Sequence, residues 1–209
     1  MAEEKEENFT SSRCYQGSRV EARMKLIAPG YTITRAIRED IPFLSSIELA
    51  AASLLAGYAP SSVLQETTSD AEFEEARSDG RLWVARASGT PVGFALSEIL
   101  EPTVAHLKEI DVHPDHVRRG LGTQLVLTAC DWAQRERYEW LTLTTFRHVP
   151  FNMPFYARLG FEVIPDDELS PQLRSVLFDE SRRGLDPNHR VAMRRLLPVG
   201  VRRFTKMAM

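Results

Sequence analysis

The residues best suited to chemistry lie in one run, His113-Pro-Asp-His-Val-Arg-Arg-Gly-Leu-Gly-Thr123. Gly120 and Gly122 let a backbone turn tightly and approach a ligand closely. A helix predicted to begin near Gly120 directs unpaired N–H groups and its positive dipole end at the same place. Arg118 and Arg119 add fixed charge, and a planar guanidinium meets phosphate oxygens two at a time. Strand, basic glycine loop and helix together describe a cradle for phosphate or pyrophosphate. The Gly-Lys-Ser/Thr element of a P-loop and the three-glycine dinucleotide pattern are both missing.

The elements that must hold this loop follow from periodicity. Tyr31 to Ile37 alternates like a half-buried strand. Asp40 sits at an N-cap position, and Phe43, Leu44, Ile47, Ala51, Leu54 and Leu55 follow at helical spacing. A short acidic helix is predicted over Asp70 to Arg77, then strands over Leu82–Ala87, Val92–Ile99 and Ala105–Val112. Leu121, Leu125, Ala129, Trp132 and Ala133 line one face of the helix after the loop. A strand at Trp140–Phe146, a helix at Asn152–Leu159, a strand at Phe161–Ile164, a helix over 167–183 and a last strand at Arg190–Leu197 complete the order. Early strands followed by alternating strands and helices predict an α+β or α/β domain in layers. In the strand 105–112, Leu107 is apolar in one phase, whereas Ile110 and Val112 are apolar in the other. A bulge near Lys108 or Glu109 repairs that slip, because one extra residue shifts the alternation.

Val117-Arg-Arg-Gly-Leu-Gly122, preceded by Val112-His-Pro114, resembles the acetyl-CoA-binding motif of the GNAT superfamily of N-acetyltransferases. Val117 stands where that motif usually has Gln or Arg. Pro154-Phe-Tyr-Ala-Arg-Leu-Gly-Phe161 resembles the second signature of the family, and Asn152 lies closer to Tyr156 than the usual asparagine does. His106-Leu107 and Val149-Pro-Phe151 are locally similar to arylalkylamine N-acetyltransferases. The resemblance spans about residues 30 to 165. It implies a mixed, mostly antiparallel sheet of about seven strands, flanked by helices, with splayed central strands and a bulge that admits pantetheine.

Its implied chemistry is direct acetyl transfer from acetyl-CoA to a primary amine. An alkylamine is protonated at neutral pH, so a base must act before attack, and the leaving thiolate needs a proton. By resemblance, Ile110, Asp111 and Val112 hold pantetheine. Val117, Arg118, Arg119, Gly120, Leu121, Gly122 and Thr123 hold the pyrophosphate, with Asn152 as a further coenzyme contact. Tyr156 matches the thiolate-protonating tyrosine; its alternative is a core tyrosine beside Phe155 and Phe161. His106 and Glu109 are both candidates for the base, with His106 ahead because its pKa lies near operating pH. A strand-end surface histidine and a salt-bridged carboxylate are the competing readings. Glu48, Tyr58 and Phe146 are expected near the acceptor, where an acid would attract a cationic amine.

Composition bounds the partners. The 209 residues carry 26 basic and 29 acidic side chains, a net charge of −3, which gives no global reason to expect nucleic acid. Two cysteines, Cys14 and Cys130, and five scattered histidines make no metal constellation and argue against a cysteine acyl relay. No uncharged stretch is long and apolar enough for a bilayer, and the acidic N-terminus lacks a secretory pattern, so a cytoplasmic protein is expected. Three segments are predicted: an extension over 1–29, a catalytic domain over 30–198, and a basic tail over 199–209. The favoured acceptor is a small-molecule amine, and the chain is a monomer or homodimer. Protein or peptide N-acetylation and a non-catalytic acyl-CoA-binding module are the alternatives.

Overall fold

A computed structural model describes residues 27–198. The predicted basic tail, Cys14 and nearly all of the predicted N-terminal extension lie outside the described residues. Seven strands form one sheet in the order β1-β2-β3-β4-β5-β7-β6. They are β1 Tyr31–Arg35, β2 Leu82–Ala87, β3 Thr90–Glu101, β4 Val104–Val112, β5 Trp140–Phe146, β6 Glu162–Val163 and β7 Arg190–Leu196. Every neighbouring pair is antiparallel except β4–β5. The helices are α1 Ile41–Ala52, α2 Asp70–Ser78, α3 Leu121–Arg135, α4 Met153–Arg158 and α5 Pro171–Arg182.

Both sheet faces are covered, which explains the strongly apolar central strands. On one side Leu44 and Ile47 of α1 and Phe73 of α2 pack on Leu82, Val84, Phe94 and Leu96. On the other, Leu125, Val126, Ala129 and Trp132 of α3 pack on Trp83, Ala95, Leu107, Leu141 and Leu143. Each fully buried leucine contributes about 2 kcal/mol from lost water contact. Leu125, with no exposed surface, is a change that would hurt: Leu125→Ala costs about 3 kcal/mol.

Several predicted boundaries shift. The short helix α4 starts one residue later than expected, with Asn152 as its cap. The segment expected as one helix over 167–183 divides into a 3-10 turn at Asp166–Glu168 and α5, because Pro171 begins a new helix capped by Ser170. Asp40 precedes α1, but its carboxylate makes no helix cap. It accepts from the Ile37 N–H at 2.8 Å and pairs with Arg86. Ala28, placed by sequence in the extension, donates its N–H to the Arg119 carbonyl at 3.3 Å, so the chain before β1 braces the glycine loop.

Candidate active site

Two features of β4 open the sheet. Leu96 pairs with Glu109 and Ser97 with Leu107, leaving Lys108 as an extra residue. This is the bulge that the apolar phase required, and it brings Leu107 and Ile110 onto the same core face. Second, β4 and β5 pair only from Val104–Trp140 to His106–Thr142. Beyond that point the strands part, and a cleft of about 1090 Å³ opens between them.

The edge of β4 facing the gap is available for hydrogen bonding. His113 donates its N–H to the Val92 carbonyl at 2.9 Å, and amides alternate sides along a strand. The N–H groups of Ile110 and Val112 therefore face away from β3. Gly93 lets β3 approach this closely, since a Cβ there would lie 2.7 Å from the Asp111 carbonyl oxygen. At the end of β4 the chain passes Arg118, with φ +58°, and Gly120, with φ +82°, before entering α3. Val117, Arg118, Gly120, Leu121, Gly122 and Thr123 line the cleft, so the amides opening the 15-residue α3 meet it. Arg119 does not. The left-handed turn at Arg118 separates the two guanidinium groups, and that of Arg119 lies 5.7 Å from the Tyr31 ring centroid.

Deeper in the cleft are the ionisable groups. Tyr156 on α4 packs its ring against Phe155 and Phe161, and its hydroxyl is held above its ordinary pKa by burial, with Glu109 and Asp111 adding to the effect. Burial and the Glu48 charge push Glu109 up to about 7, while its Oε1 accepts weakly from the Ile110 N–H at 3.4 Å. Asp111 is held well above the usual carboxylate range by burial and by Glu109 and Glu48, and its Oδ2 is buried without a partner. Glu48 projects from α1 into the same space and is raised by burial, against the opposing bonds from the Thr68 N–H at 2.9 Å and Thr68 hydroxyl at 3.2 Å.

His106 has a different character. It is 2% exposed, and Nδ1 lies 2.9 Å from Thr142 Oγ1, whose own proton goes to the Ala105 carbonyl. Burial drives its pKa down to about 4, so the ring is neutral at physiological pH. Phe146 lines the cleft, but Tyr58 does not. Tyr58 stacks against His148 and Phe151 on the outer side of Phe146, beside a second cavity of about 260 Å³. The end of the cleft at Phe146 is walled by the segment 53–66, whose Leu55, Ala59 and Val63 pack on Phe146, Val149 and Leu185. Arg183 ties that segment to α5 through Glu66.

Sequence reasoning missed this ion pair, Thr68, and the buried Glu180–Arg190 pair on the same walls. None belongs to a motif, and only folding brings them together. Cys130 is buried against α3's core face, off the cleft, with its thiol pushed up to about 11 by burial. Among the described residues there is no group of three potential metal ligands and no helix long and apolar enough to cross a membrane.

The sequence pattern of the acetyltransferase (GNAT) family matches residues 49–161. An uncharacterized N-acetyltransferase of Methanocaldococcus jannaschii is 34% identical over 92 residues, a match spanning 41% of this chain and 41% of that protein's length. Among solved structures, the chain is similar to the PaiA N-acetyltransferase of Thermoplasma acidophilum in complex with coenzyme A. That likeness has a TM-score of 0.62 at 18% identity over 79% of this chain and 98% of the other. It is also similar to N-acetylglutamate synthase from Neisseria gonorrhoeae complexed with coenzyme A and N-acetyl-glutamate. Here the TM-score is 0.60 at 19% identity, over 80% of this chain and 35% of the other.

Proposed function

The chain belongs to the acetyltransferase (GNAT) family, and we propose that it moves the acetyl group of acetyl-CoA to the primary amine of a small cationic molecule. The observation that carries this reading is the set of carboxylates lacking a cationic partner, Glu48, Glu109 and Asp111, at the walled end of the cleft beside Tyr156. Buried carboxylates in one cavity attract an ammonium group and repel an acidic acceptor. The wall formed by segment 53–66 and the Arg183–Glu66 pair bounds that end, which favours a small acceptor over a long peptide.

Roles follow from position and charge. Backbone amides of Val117 to Thr123, with Arg118, take the pyrophosphate, and the N–H groups of Ile110 and Val112 that face away from β3 take the pantetheine arm. Glu109 is the base, since a group that titrates near 7 can accept a proton from an ammonium at neutral pH. His106 is the weaker candidate: a fully buried imidazole whose pKa lies near 4 holds a proton poorly. The freed amine attacks the thioester carbonyl, a C–N bond forms and the C–S bond breaks. Tyr156 protonates the departing thiolate and is reprotonated by the second proton that the nitrogen loses on becoming an amide, while the first, taken by Glu109, leaves to solvent.

The test is thiol release from acetyl-CoA with alkylamines, diamines, aminoglycosides and lysine-bearing peptides. Turnover is expected with small amines and not with amino acids carrying a free carboxylate. Turnover restricted to peptides would overturn the small-acceptor reading. Coenzyme A binding with no turnover on any acceptor would overturn the enzyme reading.

A further inference from the structure

The wall of the cleft opposite β4 carries charges that the acetyl-transfer roles above leave unused. Arg190 opens β7 and faces Glu180 of α5; its Nε and Nη2 donate to the Glu180 carboxylate at 2.8 and 2.7 Å. Thr144 of β5 completes the set, donating its hydroxyl to Glu180 at 2.5 Å and accepting from Arg190 Nη2 at 3.2 Å. The guanidinium carbon lies 4.6 Å from the Phe146 ring centroid. The side chains of Arg190 and Glu180 are 10% and 12% exposed, so two forked bonds hold the pair in one geometry where water screens poorly. Glu180, Arg190, Thr144 and Phe146 line the same cleft as Glu109, at the level where β4 and β5 have ceased to pair.

We infer that Arg190, held by Glu180, is a positioning residue for proton transfer: its charge acts across the cleft to keep Glu109 available as a carboxylate, and Glu180 limits how far that goes. The inference rests on Glu109 being the base. The groups that act on Glu109 are Glu48 of α1, Lys108 and Asp111 of β4, Tyr156 of α4, Arg183 just beyond α5 and Arg190 of β7, while His106 of β4 and Glu180 of α5 line the same cleft. Burial and two carboxylate neighbours favour a protonated Glu109, which could accept nothing from an ammonium ion. Arg190 and Arg183 oppose them, and Arg183 is spent on Glu66 at a more exposed site. An arginine with no counter-charge would do the reverse harm, leaving Glu109 too weak a base. The two members of the pair therefore act in opposite senses on the Glu109 proton, a pattern that lost packing alone would not produce.

The experiment uses the full chain labelled with glutamate carrying 13C at the side-chain carboxyl, with the Glu109 resonance assigned through Glu109→Gln. Arg190→Met is expected to raise the Glu109 titration midpoint by about half a unit or more, and Glu180→Gln to lower it by a similar amount. The double variant, which leaves neither charge buried alone, returns it to within a few tenths, and Arg190→Lys keeps most of the effect. The acid limb of kcat/KM for the best amine of the panel moves in the same directions. If Arg190→Met does not fold, the downward shift in Glu180→Gln and its reversal in the double variant decide the matter. Single variants that melt earlier while leaving the Glu109 midpoint in place would overturn the inference. If instead the midpoints move as expected but Glu109→Gln keeps full turnover and its acid limb, the reading of Glu109 as the base fails, and the inference built on it fails with it.

Discussion

Leu107 and Ile110 lie three residues apart on one strand, yet both pack into the core beneath α3. A regular strand would send them to opposite faces. Lys108 takes up the difference as the unpaired residue of the bulge, and the acids at 109 and 111 reach the cleft as a result.

Deleting Lys108 should damage ligand binding more than the fold. Without the extra residue Leu107 and Ile110 share the α3 face by regular alternation, but the kink of β4 beside its parting from β5 is lost, and coenzyme A affinity should fall about tenfold or more. Lys108→Ala keeps the bulge and loses partly exposed pairs with Glu72 and Glu98, worth about 1 kcal/mol or less. Calorimetric titration of coenzyme A into the two variants checks the contrast.

Tyr156→Phe should lower kcat by roughly a hundredfold, the size expected when a general acid is lost. The ring stays packed between Phe155 and Phe161, so coenzyme A affinity should hold within about twofold. Steady-state kinetics paired with calorimetric titration of coenzyme A separate the two quantities, and unchanged turnover removes the assigned role.

Two buried groups impose opposite pH dependences on stability. The folded protein holds the His106 pKa at about 4 against 6.5 when free, so it binds fewer protons than the unfolded chain and loses stability as pH falls from 6.5 toward 4. His106→Gln should remove up to about 3 kcal/mol of that loss. Glu109 is raised from 4.5 to about 7, so its folded form prefers the proton, and stability declines as pH rises through that interval. Glu109→Gln should therefore gain stability relative to the parent at pH 8 more than at pH 5. Thermal melts at pH 4, 5, 6.5 and 8 read both effects.

Gly120→Ala places a side chain in a left-handed conformation at the start of α3, which costs about 1 to 2 kcal/mol. The residue can escape only by moving amides that face the cleft. Coenzyme A affinity should fall about tenfold or more, a loss measurable by calorimetry. Arg119→Ala, by contrast, removes a side chain lying on Tyr31 and should change that affinity much less than Arg118→Ala.

Much of the frame was legible because its causes are local. The apolar stripe of Leu121, Leu125, Ala129 and Trp132 announces α3, and the glycines with Arg118 announce the turn before it. Even the bulge left its mark, because an extra residue must break the alternation of Leu107 and Ile110. Two signatures, around Gly120 and Tyr156, mark the family whose pattern matches residues 49–161. Charge state was not legible in this way. Free imidazole titrates near neutrality, which favours His106 as a base by residue type, but burial takes His106 down to about 4 and Glu109 up to about 7. Tyr58 is expected near the acceptor by sequence, yet it lines only the smaller cavity, whereas Phe146 lines both.

The sequence by itself thus determined the order of elements, the glycine loop and the place where β4 must slip, since each depends on residues a few positions apart. Only the tertiary structure decided which side chains share the cleft. It brought Glu48 from α1, Glu180 from α5 and Arg190 from β7 to the acids of β4. Burial and charge act through space, so the proton affinities of these groups exist only once the sheet has opened between β4 and β5 and its helices have closed around the gap.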